Sequence, residues 1–272
     1  MKTVQLPAMI YGTAWKEEAT APLTKLAVTA GFRAIDTANQ KKHYREDYVG
    51  AALLELKNEG ISRSDLFLQS KYTYQEGQDH RLPYNPQDDF TTQVKSSFAS
   101  SLKNLHTDYL DSYLLHGPRA YEGMTDADWE VWAAMEDLCE SGQARMIGVS
   151  NVGPSHLKEL CEKARIKPKM VQNRCFAIRG WDQVVREFCR SNQIIYQGFS
   201  LLTANQQVLF DPRVAEIARR LEVTLPEVIF RFALQIGILP LSGTTDPQHM
   251  KEDLKITKFE LSAADLKLIH AI

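Results

Sequence analysis

Apolar residues in this chain fall into short blocks, separated by stretches in which they recur every three or four positions. The blocks at 8–12 (AMIYG), 33–36 (RAID), 66–71 (LFLQSK), 109–116 (YLDSYLLH), 145–150 (RMIGVS), 169–173 (KMVQN), 194–199 (IIYQGF) and 236–242 (IGILPLS) read as strands. They are short and rich in Ile, Leu, Val, Phe and Tyr. Several lack polar–apolar alternation, as strands buried on both faces do. The stretches between them read as amphipathic helices. Residues 18–31 put Leu23, Leu26, Ala27 and Ala30 on one face, and 46–58 do the same with Val49, Ala52, Leu53 and Leu56 before Gly60. Further helices are predicted over 88–104, 126–141, 154–164, 181–191, 212–221, 226–235 and 262–271, with Pro154 and Pro226 at first-turn positions that suit proline.

Eight β/α repeats with no break in composition predict a single domain over residues 1–272. Strands alternating with helices imply parallel strands and right-handed crossovers. Eight such units in this length predict a (β/α)8 TIM barrel of the α/β class. The rival, an open doubly wound sheet, would announce a dinucleotide site by G-x-G-x-x-G after its first strand. No G-x-G occurs in the chain, nor does a phosphate-loop motif or H-E-x-x-H.

Composition adds limits. Of the 272 residues 44% are apolar and 24% charged, and the net charge is −2 with both signs interspersed, so no basic stripe invites nucleic acid. No run of 18 apolar residues exists, and Arg231 and Gln235 break the best candidate, so no membrane span is expected. The N-terminal stretch 1–15 is interrupted by Gln5 and Pro7 and does not read as a signal peptide. Cys139, Cys161, Cys175 and Cys189 form no C-x-x-C pair, which fits reduced thiols in a cytoplasmic protein. His43, His80, His106 and His116 show no metal-ligand spacing, so no metal is expected.

In a barrel the C-terminal strand ends meet at one face, where chemistry collects. The polar residues there are Asp36, Lys71, His116, Ser150 and Asn151, Gln172 and Asn173, Ser200 beside Phe199, and Ser242 to Thr244. A buried lysine needs a carboxylate, and Asp36 closes the strand beside Lys71. A tyrosine near that lysine, Tyr44, would become a usable acid, because an ammonium favours phenolate. Without a carboxylate pair or a Ser or Cys nucleophile motif, the chemistry left is proton transfer to an oxygen, coupled to a partner step such as hydride addition.

These residues carry a resemblance. The stretches GTAWK (12–16), FRAIDTA (32–38), LFLQSKYTY (66–74), SLKNLHTDYLDSYLLHGP (101–118), IGVSNVGPSHL (147–157) and ILPLSGTTDPQHMKEDL (238–254) make the chain resemble the aldo-keto reductases along essentially its whole length. The resemblance implies a barrel that binds NAD(P)H, NADPH first and NADH as an option, and reduces small aldehydes and ketones to alcohols. By it, Tyr44 is the proton donor, Lys71 paired with Asp36 lowers its pKa, and His116 orients the carbonyl. Ser150, Asn151 and Gln172 would hold the nicotinamide carboxamide, and Phe199 would stack on the ring. Ser200, Leu201 and Leu202 would face the pyrophosphate. Ser242, Gly243, Thr244, His249 and Asp253 would meet the adenosine end. Thr13 and Asp36 would also touch cofactor. Trp15, Tyr72 and Tyr74 would line the substrate pocket of a monomer.

Three departures from the family pattern bear on these expectations. Five residues after Asp36 stands Lys41, and counting back from Gly50 gives His43, so the loop carries an insertion; Tyr44 is taken as donor ahead of Tyr48. Where many NADPH-using members have a lysine and an arginine for the 2′-phosphate, this chain has Gly243 and His249, with Lys251 nearby. Third, the chain stops at Ile272, after its last helix, so the pocket is expected to be open there, with residues 72–91 as a possible wall. The competing function is an NADP-binding regulatory or scaffold barrel with little turnover. A metal-dependent hydrolase is a poor third.

Overall fold

The computed structural model describes residues 6–272; the reading of the N-terminus rests partly on residues 1–5, which lie outside that range. Eight strands close a barrel in sequence order, every pairing parallel: β1 Ile10–Gly12, β2 Ala34–Asp36, β3 Phe67–Tyr72, β4 Ser112–Leu115, β5 Ile147–Ser150, β6 Met170–Arg174, β7 Ile195–Phe199 and β8 Leu239–Ser242. The helices are α1 Thr20–Ala30, α2 Glu46–Asn58, α3 Phe90–Asn104, α4 Asp126–Glu140, α5 Pro154–Lys163, α6 Gln183–Ser191, α7 Gln206–Leu209, α8 Pro212–Leu221, α9 Leu225–Gln235, α10 Pro247–Asp253 and α11 Ala263–His270. Helix starts follow side-chain chemistry. Asp89, Thr125, Thr224 and Ser262 each accept a first-turn N–H, and the last three form capping boxes with Asp128, Glu227 and Asp265.

Two differences from the sequence reading have local causes. The strand expected over 109–116 is shorter, because the Asp111 carboxylate takes the Leu68 N–H (3.0 Å) and the Arg63 and Arg145 guanidiniums (2.8 and 2.9 Å), leaving Leu110 as an isolated bridge to Ala144. The short helices α7 and α10 are too brief to show a period; α10 is set by Asp246, which caps Gln248 and His249, and by Pro247.

Strand parity divides the core. Ile10, Ala34, Phe67, Leu114, Met170, Leu239 and Leu241 fill the barrel interior as one cluster. Residues of opposite parity, including Tyr11, Ile35, Leu68, Tyr113, Val149 and Val171, pack outward in the larger cluster with the helices. Asp36, Lys71, His116, Gln172 and Phe199 stand two or four residues beyond interior positions, so alternation aims them along the axis toward the C-terminal mouth. Gly148 shares that parity; a Cβ there would overlap the Met170 carbonyl oxygen and meet Leu114 Cδ2 at 2.8 Å. Among the described residues, no helix is long and apolar enough to cross a membrane.

Candidate active site

A cavity of about 1270 Å³ opens at the C-terminal face of the barrel. Its lining includes Asp36, Tyr44, His116, Ser150, Asn151, Gln172, Phe199, Ser200, Leu201, Leu202, Ser242, Gly243, Thr244, His249, Asp253 and Trp15. Backbone in the left-handed region, uncommon for residues with a side chain, recurs around it: Trp15 (φ 61°), Asn151 (φ 58°), Asp182 (φ 54°) and Ser200 (φ 58°).

Beneath the cavity floor Lys71 is fully buried and donates to both Asp36 carboxylate oxygens at 2.7 Å and to the Thr37 carbonyl at 2.9 Å. All three ammonium N–H groups are therefore used. Burial pushes the Lys71 pKa down, and the charge and hydrogen bonds of Asp36 oppose it. Lys71 Nζ lies 5.1 Å from the centre of the Tyr44 ring, and the Tyr44 and His116 rings are 6.0 Å apart in an edge-on arrangement. The Tyr44 pKa is raised, by burial first and by the Asp36 charge second. That is opposite to the lowering expected from a lysine neighbour. The reason is that Asp36 already neutralises Lys71, so desolvation dominates and the phenol stays protonated at neutral pH.

His116 is pushed down to about 3, by burial, then by Lys71 and His43, so its imidazole is neutral. Its Nδ1 lies 2.7 Å from Thr73 Oγ1, which orients the ring. Asn151 Nδ2 donates to the His116 carbonyl (2.8 Å) and to Ser150 Oγ (3.2 Å), and Ser150 Oγ donates to the Gln172 carbonyl (2.6 Å). The ends of β4, β5 and β6 are thus tied together. In the preceding loop the Trp15 N–H donates to the His43 carbonyl (2.7 Å), and the two rings stack with centres 3.7 Å apart. Tyr48 is absent from the lining and lies under the Arg45 guanidinium, 3.7 Å from its ring centre.

At the far end, Ser242 Oγ donates to Asp253 Oδ2 at 2.5 Å, and burial raises the Asp253 carboxyl to about 6. Lys16 Nζ donates to the Gly243 carbonyl at 2.7 Å and is pushed down to about 8 by burial. Lys251 is absent from the lining; Arg174 and Arg179 are the lysine or arginine residues found there among the described residues.

Besides Lys71, which lies beneath the floor, three expected residues do not reach the cavity. Thr13 is buried and bonds the Asp36 carbonyl through its hydroxyl at 2.9 Å. Tyr72 follows Lys71 by one residue, so alternation turns it outward, where its hydroxyl meets Gln93 Oε1 at 3.1 Å. Tyr74 donates to Asp128 Oδ1 at 2.8 Å, and the two tyrosine rings pack edge-on at 5.3 Å. None of residues 72–91 lines the cavity. Conversely, the sequence reading passed over Thr73, Lys16, Arg174, Arg179, Gln69 and Gln197. Gln69 and Gln197 carried a usable signal, since each sits at interior parity two residues before an assigned position, Lys71 and Phe199.

The sequence profile of the Aldo/keto reductase family matches residues 8–272. The chain belongs to the aldo/keto reductase family. Members are NAD(P)H-dependent oxidoreductases, and this chain is one of them. It is 33% identical over 248 residues to a glyoxal reductase of Bacillus subtilis, covering 91% of this chain and 81% of the relative. It is 30% identical over 301 residues to a prostaglandin-E(2) 9-reductase of Oryctolagus cuniculus, covering 98% and 88%. A crystal structure of an aldo-keto reductase from a Medee basin deep-sea metagenome library superposes with a TM-score of 0.84 at 26% identity, covering 98% of this chain and 91% of that one.

Proposed function

We propose that this aldo-keto reductase reduces small aldehydes and ketones to alcohols with NAD(P)H, using Tyr44 as the proton donor. The observation that carries the reading is that one cavity is lined by Tyr44, His116, Gln172 and Phe199 while the buried Lys71–Asp36 pair lies directly behind Tyr44.

The cavity fits a dinucleotide. It has the volume, an aromatic face in Phe199 and a carboxamide-binding group in Gln172. Bound there, the cofactor supplies the hydride that adds to the carbonyl carbon. The chain supplies the rest. The neutral His116 imidazole orients the carbonyl oxygen toward Tyr44. The Tyr44 hydroxyl gives its proton to that oxygen, and the phenolate left behind faces the Lys71 ammonium. Asp36 keeps Lys71 charged despite its burial. Burial keeps the phenol protonated at rest; as its proton moves to the carbonyl oxygen, the negative charge developing on Tyr44 is what the Lys71 ammonium stabilises, so lysine assistance acts in the transition state more than at rest.

NADPH is the proposed first cofactor, with NADH accepted. No lysine or arginine stands at the Gly243 and His249 positions, so the 2′-phosphate would contribute little there. The protein acts as a monomer in a reducing, cytoplasmic setting, in which its four cysteines remain the free thiols seen here. The test is NADPH and NADH oxidation with a nitrobenzaldehyde, followed by the loss of reduced-nicotinamide absorbance. Turnover supports the reading, whereas tight cofactor binding without turnover favours the scaffold alternative. An NADPH preference above about a hundredfold, roughly 2.7 kcal/mol, would show that other cations bind the 2′-phosphate.

A further inference from the structure

The interior layer beneath the cavity is not apolar, as barrel interiors mostly are. Gln69 on β3 and Gln197 on β7 are fully buried there and bond to each other in both directions: Gln69 Nε2 to Gln197 Oε1 at 2.8 Å, and Gln197 Nε2 to Gln69 Oε1 at 3.0 Å. Gln69 Nε2 also donates to Asp36 Oδ1 at 2.7 Å. Gln172 Nε2 donates to the same Asp36 Oδ1 at 3.0 Å and to Gln197 Oε1 at 2.9 Å. The remaining N–H of Gln197 points at Met170 Sδ, 3.4 Å away.

The Asp36 carboxylate fixes the direction of every one of these bonds. A carboxylate only accepts, so both glutamines that touch it must present N–H. Gln69 then offers its oxygen to Gln197, and Gln197 must turn its own oxygen toward Gln172. With both N–H groups of Gln172 committed inward, its carbonyl oxygen is left for the cavity that the residue lines. A flip of any one amide would set N–H against N–H in a buried site. Unpaired amides in such a place cost about 1–3 kcal/mol each.

We propose that Gln69 and Gln197 are positioning residues that lock the Gln172 carbonyl toward the carboxamide N–H of the nicotinamide, and so tie cofactor recognition to the Asp36–Lys71 pair. The inference rests on the proposed function. It goes beyond it by giving a role to two residues that touch neither cofactor nor substrate.

The test compares two dinucleotides by calorimetry: NADP+ and its 3-acetylpyridine analogue, which keeps the ring carbonyl but has no amide N–H. Wild-type protein is expected to bind NADP+ more tightly. In Gln197→Met and Gln69→Met, side chains of similar size without an amide, the preference should shrink about three- to tenfold, the size of one lost hydrogen bond. Affinity for the analogue should change less than twofold. The double variant leaves neither amide of the pair without its partner and serves if a single variant does not fold. Equal weakening toward both dinucleotides would mean that the pair is structural only, and unchanged preference would mean that Gln172 needs no support; either overturns the proposal alone. Wild-type protein that binds neither dinucleotide would sink the functional reading, and the proposal with it.

Discussion

Asp36→Asn removes one charge and almost no volume, which makes it a clean probe of the buried pair. Lys71 loses a partner that accepts two of its three N–H groups at 2.7 Å. At that separation and an effective dielectric of about 20, the attraction is about 6 kcal/mol before desolvation is subtracted. Breaking a buried pair by removing one member costs about 3–5 kcal/mol, because the other charge stays buried and unpaired. The asparagine also offers one acceptor where Lys71, Gln69 and Gln172 all donate. The melting temperature should therefore fall by roughly 6–20 °C, at about 2–4 °C per kcal/mol for a domain of this class. Urea unfolding followed by circular dichroism gives the free energy directly. The loss should be nearly the same at about 0.1 and 0.5 M salt, since the pair is shielded from counterions. A loss below about 1 kcal/mol for Asp36→Asn would refute the reasoning.

Tyr44→Phe should keep cofactor affinity and lower kcat by about 10²- to 10⁴-fold, the range for a general acid, while Tyr48→Phe changes little; steady-state kinetics with both variants would expose an error in the loop assignment if the two effects were reversed. With a carboxyl raised from 3.8 to about 6, Asp253 favours the folded state in its protonated form. That contribution is present below pH 4 and lost as pH rises through 6, so Asp253→Asn should add ~2–3 kcal/mol at pH 8 and nothing at pH 4, read as melting temperatures at the two pH values. Gly148→Ala puts a methyl group against the Met170 carbonyl and Leu114, and chemical denaturation should show a loss of about 1–3 kcal/mol from overpacking.

The barrel was legible because its information is local and repeated. Each strand block and each helical period stands in the chain whatever its neighbours do, and the repetition of the pair implies parallel strands. The ends of those strands were legible for the same reason, which is why Asp36, Lys71, His116 and Gln172 could be read in advance. Tyr72 and Tyr74 were misplaced because an aromatic next to a functional lysine looks like pocket wall, whereas alternation sends the next residue to the opposite face. Thr73 was missed because a threonine after a strand has no signature until the imidazole it orients is beside it.

What the sequence determined by itself is therefore the repeat: eight parallel strands in chain order, and the polar residues that stand at their ends. What only the tertiary structure decided is which residues look inward and the company they keep. Gln69 and Gln197 are 128 positions apart in the chain, and Gln172 and Asp36 are 136 apart. Barrel closure brings them within hydrogen-bond distance, where one carboxylate can orient three amides. The same closure sets the Tyr44 phenol above a lysine already neutralised by Asp36, so burial raises a pKa that the sequence alone suggested would fall. Hydrogen-bond direction and desolvation depend on the whole surrounding shell, and no stretch of chain carries that shell within itself.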